Sequence, residues 1–183
     1  MINQLSSENI NNRELGEPEM PSFDLPKNED LKDIENILNQ WTDGEEVEKY
    51  LKRIKDQING RTEYGMNFWT MKEANKIIGV GGLADPLPSI LKYASTKNPG
   101  ELKILYLYEQ ARGKSFGKKF LLWLEEKAFS QGRNELLVRS AEQYRDTAFE
   151  FYKKNGYEDL GQIINEAGKP MQLFKKILDK TEN

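Results

Sequence analysis

The segment ARGKSFGKK, residues 111–119, combines glycines with basic side chains, a composition suited to binding phosphate. It follows an apolar stretch, ELKILYLYE, and precedes an amphipathic one. If these are a strand and a helix, the backbone N–H groups of residues 113–118 lie near a helix start and lack intrahelical acceptors. Such a helix start attracts anions. Four basic side chains add positive potential: Arg112, Lys114, Lys118 and Lys119. The segment therefore predicts a site for a diphosphate.

The sequence matches two nucleotide-binding motifs only in part. Residues 113–115 match the end of a P-loop, G-x-x-x-x-G-K-[ST], but Tyr108 stands where its first glycine belongs. GVGGLA, residues 79–84, matches the dinucleotide fingerprint, which requires a helix to begin there. Prolines at 86 and 88 follow, so no helix can start soon enough. We interpret these glycines as positions where a strand bends, bulges or approaches a close neighbour.

The composition restricts the available chemistry. The chain has no cysteine and no histidine, which excludes disulfides, a Cys nucleophile, a Ser-His-Asp triad and metal sites built on either residue. Proton transfer must then use Glu, Asp, Tyr, Lys or water. The net charge of −3 does not favour nucleic acid. With no signal-peptide pattern and no apolar run of membrane-span length, the sequence predicts a cytoplasmic protein that binds neither nucleic acid nor membrane.

Hydrophobic spacing predicts the elements that would position the phosphate segment. Two amphipathic helices come first, with apolar stripes at Leu31, Ile34, Ile37, Leu38 and Trp41, then at Val47, Tyr50, Leu51, Ile54 and Ile58. Two strands follow over residues 66–73 and 75–83, then a proline-containing loop and a strand over 101–109. A helix begins near Phe116 and is stopped by Gly132, and a strand over 135–141 and a helix over 145–156 come next. Tyr157 opens an extended piece, and the last strand covers residues 169–178. The order predicts an α/β domain, residues 23–183, after a polar arm, residues 1–22. The arm could also be a partner-binding segment.

Two segments carry a resemblance to the GCN5-related N-acetyltransferase (GNAT) superfamily. Arg112-x-x-Ser115-x-Gly117 resembles its coenzyme-A motif, [QR]-x-x-G-x-[GA], with serine in place of the middle glycine. TAFEFYKKNGY, residues 147–157, is similar to its A-x-x-FY-x-x-x-GF segment, with Tyr157 in place of the last phenylalanine. Strand, loop, helix, strand and this second segment follow one another in the family's order over residues 24–178.

The resemblance implies a GNAT-like fold, with a mixed, mostly antiparallel sheet flanked by helices on both faces. It implies acetyl transfer from acetyl-coenzyme A to a primary amine of a small molecule or peptide, by direct attack in a ternary complex and without a metal. A homodimer is left open. The residues expected to bind the coenzyme are Leu105, Tyr106, Leu107, Arg112, Gly113, Lys114, Ser115, Phe116, Gly117 and Lys118.

The resemblance also implies three catalytic roles. The backbone N–H of Leu107, at the splayed end of the central strand, is expected to stabilise the oxyanion. Tyr152 matches the family's tyrosine and is the expected general acid for the leaving thiolate. Glu101 is the candidate base, with Glu109 as the alternative. Two further functions stay open: a coenzyme-binding module that has lost catalysis, which Ser115 makes conceivable, and a transferase for a different acyl-coenzyme A.

Overall fold

The computed structural model describes residues 20–179. Most of the predicted N-terminal arm lies outside these residues, as do residues 180–183. Ser22, which the sequence assigns to the arm, already belongs to the first strand. The rest of the arm and its role therefore stay a prediction.

The elements follow the predicted order, with one short strand and one short helix that the sequence did not predict. The strands are β1 Ser22–Asp24, β2 Asn67–Glu73, β3 Lys76–Ala84, β4 Pro99–Leu107, β5 Glu135–Ala141, β6 Glu158–Ile164 and β7 Pro170–Ile177. The helices are α1 Leu31–Trp41, α2 Gly44–Ile58, α3 Pro88–Leu91, α4 Phe116–Ser130 and α5 Glu150–Lys154. β1 and α3 are the unpredicted elements. A π-helical turn, Arg145–Phe149, leads into α5.

The strands form a seven-stranded mixed sheet in the order β1-β2-β3-β4-β5-β7-β6. Each neighbouring pair is antiparallel except β4–β5, which is parallel. α1 and α2 bury their apolar stripes on one face, and α4 and α5 pack on the other. The predicted fold class is thus confirmed. Within residues 20–179, no helix is both long and apolar enough to traverse a bilayer.

The glycines of β3 allow α4 to lie directly on the sheet. A Cβ atom at Gly81 would come within 2.8 Å of Leu124 Cδ1 and 2.9 Å of Phe120 Cζ. Such distances are shorter than van der Waals contact, so a larger residue would displace the helix. The interpretation of these glycines as sites of close approach is confirmed. The tight packing brings the start of α4 beside the end of β4.

A bulge in β4 separates that strand from β5. Gly82 pairs with Ile104 and Leu83 pairs with Leu102, which leaves Lys103 unpaired. Bulges increase local twist and bend a strand. Beyond the bulge, β4 no longer pairs with β5: the last parallel pair is Leu102 with Val138, although β4 continues to Leu107. We call the space between the diverging strands the β4–β5 gap.

Backbone groups of β4 point into this gap. The N–H of Tyr108 donates to the Ile78 carbonyl on β3 at 2.9 Å, so Tyr108 and Tyr106 direct their backbone groups toward β3. Because backbone direction alternates along a strand, those of Leu105 and Leu107 face the other way, into the gap. The fold therefore leaves a strand edge of β4 without a partner strand, and this edge ends at the phosphate segment.

Candidate active site

The phosphate segment forms an anion-binding helix start. Among residues 20–179, no acceptor is found for the backbone N–H groups of residues 113–118. The first paired N–H is that of Lys119, which donates to the Ser115 carbonyl at 3.1 Å. These unpaired donors and the dipole of a 15-residue helix favour an anion there. Phosphate is the ligand that such a site accepts.

The basic side chains around this helix start have no acidic partners in the described chain. None of Arg112, Lys114, Lys118 and Lys119 forms an ion pair with another described residue. The Arg112 guanidinium instead lies 4.5 Å from the centre of the Trp41 ring. Their positive charge is therefore available to an anion at the helix start.

Ser115 adopts a backbone conformation that favours glycine. Its φ is 61° and its ψ is 9°, which is the left-handed helical region. The serine that departs from the motif therefore occupies a strained backbone conformation. The Ser115 side chain is exposed and makes no capping hydrogen bond, so its hydroxyl can still donate to a ligand.

We expect Ser115→Gly to stabilise the protein by roughly 0.5–1 kcal/mol. The left-handed conformation costs a non-glycine residue about 1–2 kcal/mol, and the added chain entropy of glycine cancels about 0.5–1 kcal/mol of that gain. Thermal unfolding measures the change. Coenzyme affinity should move by no more than about one hydrogen bond, roughly 0.5–1.5 kcal/mol. Ser130→Gly changes the last residue of the same helix, where the backbone is right-handed helical and glycine has no conformational advantage. This variant is the control and should lower the stability of the protein. A loss of stability in both variants would contradict the prediction.

Two aromatic side chains that the sequence did not assign to the site, Trp41 and Tyr144, lie beside Tyr106 at the mouth of the β4–β5 gap. The Trp41 indole N–H donates to the Leu107 carbonyl at 2.7 Å, and the Tyr144 hydroxyl donates to the Trp41 carbonyl. The ring of Tyr106 lies 6.4 Å from that of Trp41 and 6.3 Å from that of Tyr144. Trp41 was predicted only as part of an apolar stripe. Nothing in the sequence indicates that its N–H reaches β4.

Tyr152 lies in the core on the α4 side of the sheet. Its ring packs against Phe151, Tyr157 and Phe174, at centroid distances of 5.4, 5.4 and 5.5 Å. Burial raises the pKa of the Tyr152 hydroxyl above its ordinary value, so the phenol stays protonated. The hydroxyl makes no hydrogen bond to another described residue. The hydroxyl therefore carries a proton, and the general-acid role stays a prediction.

Glu101 lies at the root of the gap, on the side of the sheet that faces α2. Its carboxylate is only 2% exposed. Oε1 accepts from Arg139 Nη2 at 2.8 Å, from Arg139 Nε at 3.1 Å and from Lys103 Nζ at 3.2 Å. Oε2 is buried and has no partner among the described residues. Arg139 also binds Glu166 on the β6–β7 turn at 2.9 Å, and Ser89 of α3 donates to Glu166.

The structure does not bring the three predicted catalytic residues to one point. Glu101 and Leu107 are six residues apart on β4, which is about 20 Å along a strand. They cannot both contact one acetyl group directly. Tyr152 and Glu101 lie on opposite faces of the sheet, with the gap between them. The alternative base, Glu109, is exposed beyond the far end of β4, where its N–H binds Gln40.

Two surface depressions of the described chain lie outside this region. One is lined by residues of the outer face of α2 and the turn after it, and the other by the β1–α1 connection and the end of α2. Neither includes a residue of β4, β5 or the helix start. In the first, Lys52 and Arg61 each form a salt bridge with Asp56.

A sequence model of the acetyltransferase (GNAT) domain matches residues 38–178. The chain belongs to the GNAT acetyltransferase family. The match includes β4, the gap and the helix start of α4. It begins within α1, so the end of α1 and all of α2 also lie inside it.

Comparison with individual GNAT proteins supports the same fold. The chain is 25% identical over 109 residues to an IAA acetyltransferase of Azospirillum brasilense, a match that covers 60% of this chain and 65% of that protein. PaiA N-acetyltransferase of Thermoplasma acidophilum, in complex with coenzyme A, is similar with a TM-score of 0.61 and 18% identity, covering 87% of this chain and 99% of that one.

Two further solved structures resemble the chain. AAC(6')-Ib in complex with ribostamycin and coenzyme A has a TM-score of 0.69 and 16% identity, covering 90% of this chain and 99% of that one. The spermidine/spermine N-acetyltransferase SpeG of Vibrio cholerae has a TM-score of 0.65 and 12% identity, covering 86% of this chain and 94% of that one. Their different acceptors mean that the fold does not name the acceptor of this GNAT protein.

Proposed function

We propose that this GNAT protein transfers the acetyl group of acetyl-coenzyme A to a primary amine, by direct attack in a ternary complex. The observation that carries the proposal is the row of unpaired N–H groups at residues 113–118, where the open edge of β4 ends. A diphosphate suits the helix start. The backbone groups of Leu105 and the N–H of Leu107 suit the amides of a pantetheine arm lying in the gap. Coenzyme A contains both parts in one molecule.

The transfer step needs an oxyanion donor, a base and an acid. The acceptor nitrogen attacks the thioester carbonyl carbon, the C–S bond breaks, and the sulfur takes a proton from Tyr152 while the amine loses one toward Glu101. The N–H of Leu105 also faces the gap and is four residues from Glu101, about 13 Å along the strand. The Glu101 side chain and a short water relay can span that distance. We therefore favour Leu105 over Leu107 as the oxyanion donor.

Arg112→Glu is expected to weaken coenzyme A binding about 10- to 100-fold. Loss of one charge-assisted contact accounts for about 1.5–3 kcal/mol, and reversal of the charge acts in the same direction. The fold should persist because Arg112 is exposed. Isothermal titration calorimetry measures the affinity. Arg61→Glu, the same change on an exposed residue after α2, is the control. Equal affinity of Arg112→Glu and the native protein would place the coenzyme elsewhere.

A thiol-release assay separates the remaining functions. Release from acetyl-coenzyme A only in the presence of an amine supports the transferase. Tight coenzyme binding without release for any amine supports the non-catalytic module that the strained Ser115 made conceivable. Faster release from propionyl- or succinyl-coenzyme A supports a different acyl donor. A cytoplasmic location and the oligomeric state stay predictions.

A further inference from the structure

Glu166 joins three elements of the fold through one carboxylate. It lies on the turn between β6 and β7, and its Oε2 atom accepts from Arg139 Nη1 on β5 at 2.9 Å. Its Oε1 atom accepts from the hydroxyl of Ser89, the second residue of α3. The turn is itself ordered by hydrogen bonds, because the Asn165 side chain accepts from two of its backbone N–H groups at 3.0 and 2.8 Å. Glu166 is therefore held in a defined position beside Arg139.

Arg139 connects Glu166 with the proposed base, Glu101. Nε and Nη2 of its guanidinium donate to Glu101 Oε1 at 3.1 and 2.8 Å, while Nη1 donates to Glu166. The side chain of Arg139 is 10% exposed and that of Glu101 is 2% exposed. The two carboxylates thus share one delocalised positive charge. Because the atoms between them are poorly solvated, a change of charge at Glu166 is felt at Glu101.

The charges of this cluster balance within the described chain. Its six members come from four elements: Glu46 and Lys49 on α2, Glu101 and Lys103 on β4, Arg139 on β5 and Glu166 on the β6–β7 turn. Three are anions and three are cations, and each carboxylate contacts at least one of the cations. On α2, Tyr50 is neutral because burial raises its pKa, and Arg53 beside it donates to the Met66 sulfur. Loss of the Glu166 charge would therefore leave one excess positive charge in the cluster around Glu101.

We infer that Glu166 is a positioning residue, which acts through Arg139 to keep Glu101 basic enough to take the proton of the acceptor amine. The inference rests on the proposed function, in which Glu101 is the base. A carboxylate accepts a proton less readily when uncompensated positive charge lies beside it. With Glu166 in place, the charge of Arg139 is divided between two anions. Without it, the whole of that charge acts on Glu101.

The compensation by Glu166 is constant over the pH range of an assay. The hydrogen bond from Ser89 and the charge of Arg139 hold the pKa of Glu166 well below its ordinary value. Glu166 therefore stays anionic wherever turnover is measured. A change in the pH profile of a Glu166 variant then reports the base and not the titration of Glu166.

Glu166→Gln tests the inference, because it removes a charge and keeps the shape of the side chain. The glutamine oxygen can accept from Arg139, and its N–H can donate to the Ser89 hydroxyl. The profile of kcat against pH is measured by thiol release at saturating acetyl-coenzyme A and pentylamine. We expect its acid limb to move to lower pH by roughly 0.3–1 unit, the range for one nearby charge on a side chain that is 49% exposed. A weaker base should also lower the plateau of kcat about two- to five-fold, with KM for pentylamine unchanged.

Two further variants assign the effect to the charge of Glu166. Glu166→Asp keeps the charge and should restore the acid limb. Glu158→Gln removes the same charge from β6, where Glu158 pairs with Lys175 at 3.5 Å, and should leave the profile unchanged. An acid limb that is absent from the native profile, stays in place in Glu166→Gln or moves equally in Glu158→Gln overturns this inference alone. So does a lower melting temperature of Glu166→Gln with unchanged turnover per folded molecule. Absence of thiol release from the native protein with every amine overturns the proposed function together with it.

Discussion

We expect Tyr152→Phe to lower turnover by up to about 10²–10⁴-fold, the range of general-acid catalysis, while coenzyme affinity barely changes. The ring packs among Phe151, Tyr157 and Phe174, and phenylalanine keeps those contacts. The substitution removes only the hydroxyl, which is protonated because burial raises its pKa. The loss is at the lower end of this range if water can protonate the thiolate, which is already a good leaving group.

The matched control is Tyr157→Phe in the same aromatic cluster. The Tyr157 hydroxyl is buried and lacks a partner in the described chain, so its removal should leave both turnover and stability nearly unchanged. Turnover per folded molecule and melting temperature are measured on the same preparations. A Tyr152→Phe variant with full turnover at saturating acetyl-coenzyme A and amine would exclude the hydroxyl from the mechanism. A lower melting temperature with unchanged turnover would indicate a structural tyrosine.

Glu101→Gln is expected to lower both turnover and stability. Loss of a general base reduces turnover by about 10²–10⁴-fold. Removal of the carboxylate also leaves Arg139 and Lys103 buried without their shared counter-charge, and breaking a buried pair costs about 3–5 kcal/mol. The loss should fall below that range because glutamine still accepts hydrogen bonds and Arg139 keeps Glu166. Chemical denaturation and steady-state kinetics measure the two effects.

A double variant separates the two roles of Glu101. Glu101→Gln combined with Lys103→Met removes one charge of each sign and should recover much of the lost stability. Turnover should stay low if Glu101 takes the amine proton. The assay uses pentylamine, a primary amine with no second charged group. Recovery of turnover together with stability would show that Glu101 only balances charge.

The sequence predicted the elements whose patterns are long. The stripe of α1 covers three turns, and each of its three inward residues, Ile34, Ile37 and Leu38, is fully buried. β1 escaped prediction because three residues are too few to show an alternation. Strand β6 was visible only as an extended piece after Tyr157, since its burial is irregular around Gly161. Local sequence patterns thus predicted the architecture. The short strands at the edges of the sheet could not be predicted in this way, because they form only by pairing with a neighbouring strand.

The site was only partly predictable for a different reason. The unpaired N–H groups at residues 113–118 follow from a strand–loop–helix pattern, which is local. The strain at Ser115 depends on its φ, and the bulge at Lys103 depends on its register with β3, and neither is encoded by residue type alone. The Glu101–Arg139 pair joins residues 38 positions apart in the chain. Only the folded sheet shows that these side chains meet.

Through Trp41, a ligand bound near Arg112 affects the local stability of α1. Trp41 is the last residue of α1, where helices fray most readily, yet it binds Leu107, 66 residues away, and stacks on Arg112. A local opening of α1 would release both contacts at once. An anion that holds Arg112 in place opposes that opening through mass action. A ligand that binds at the helix start of α4 would therefore make the end of α1 open less often, and amide hydrogen exchange in that last turn would slow as the ligand concentration rises.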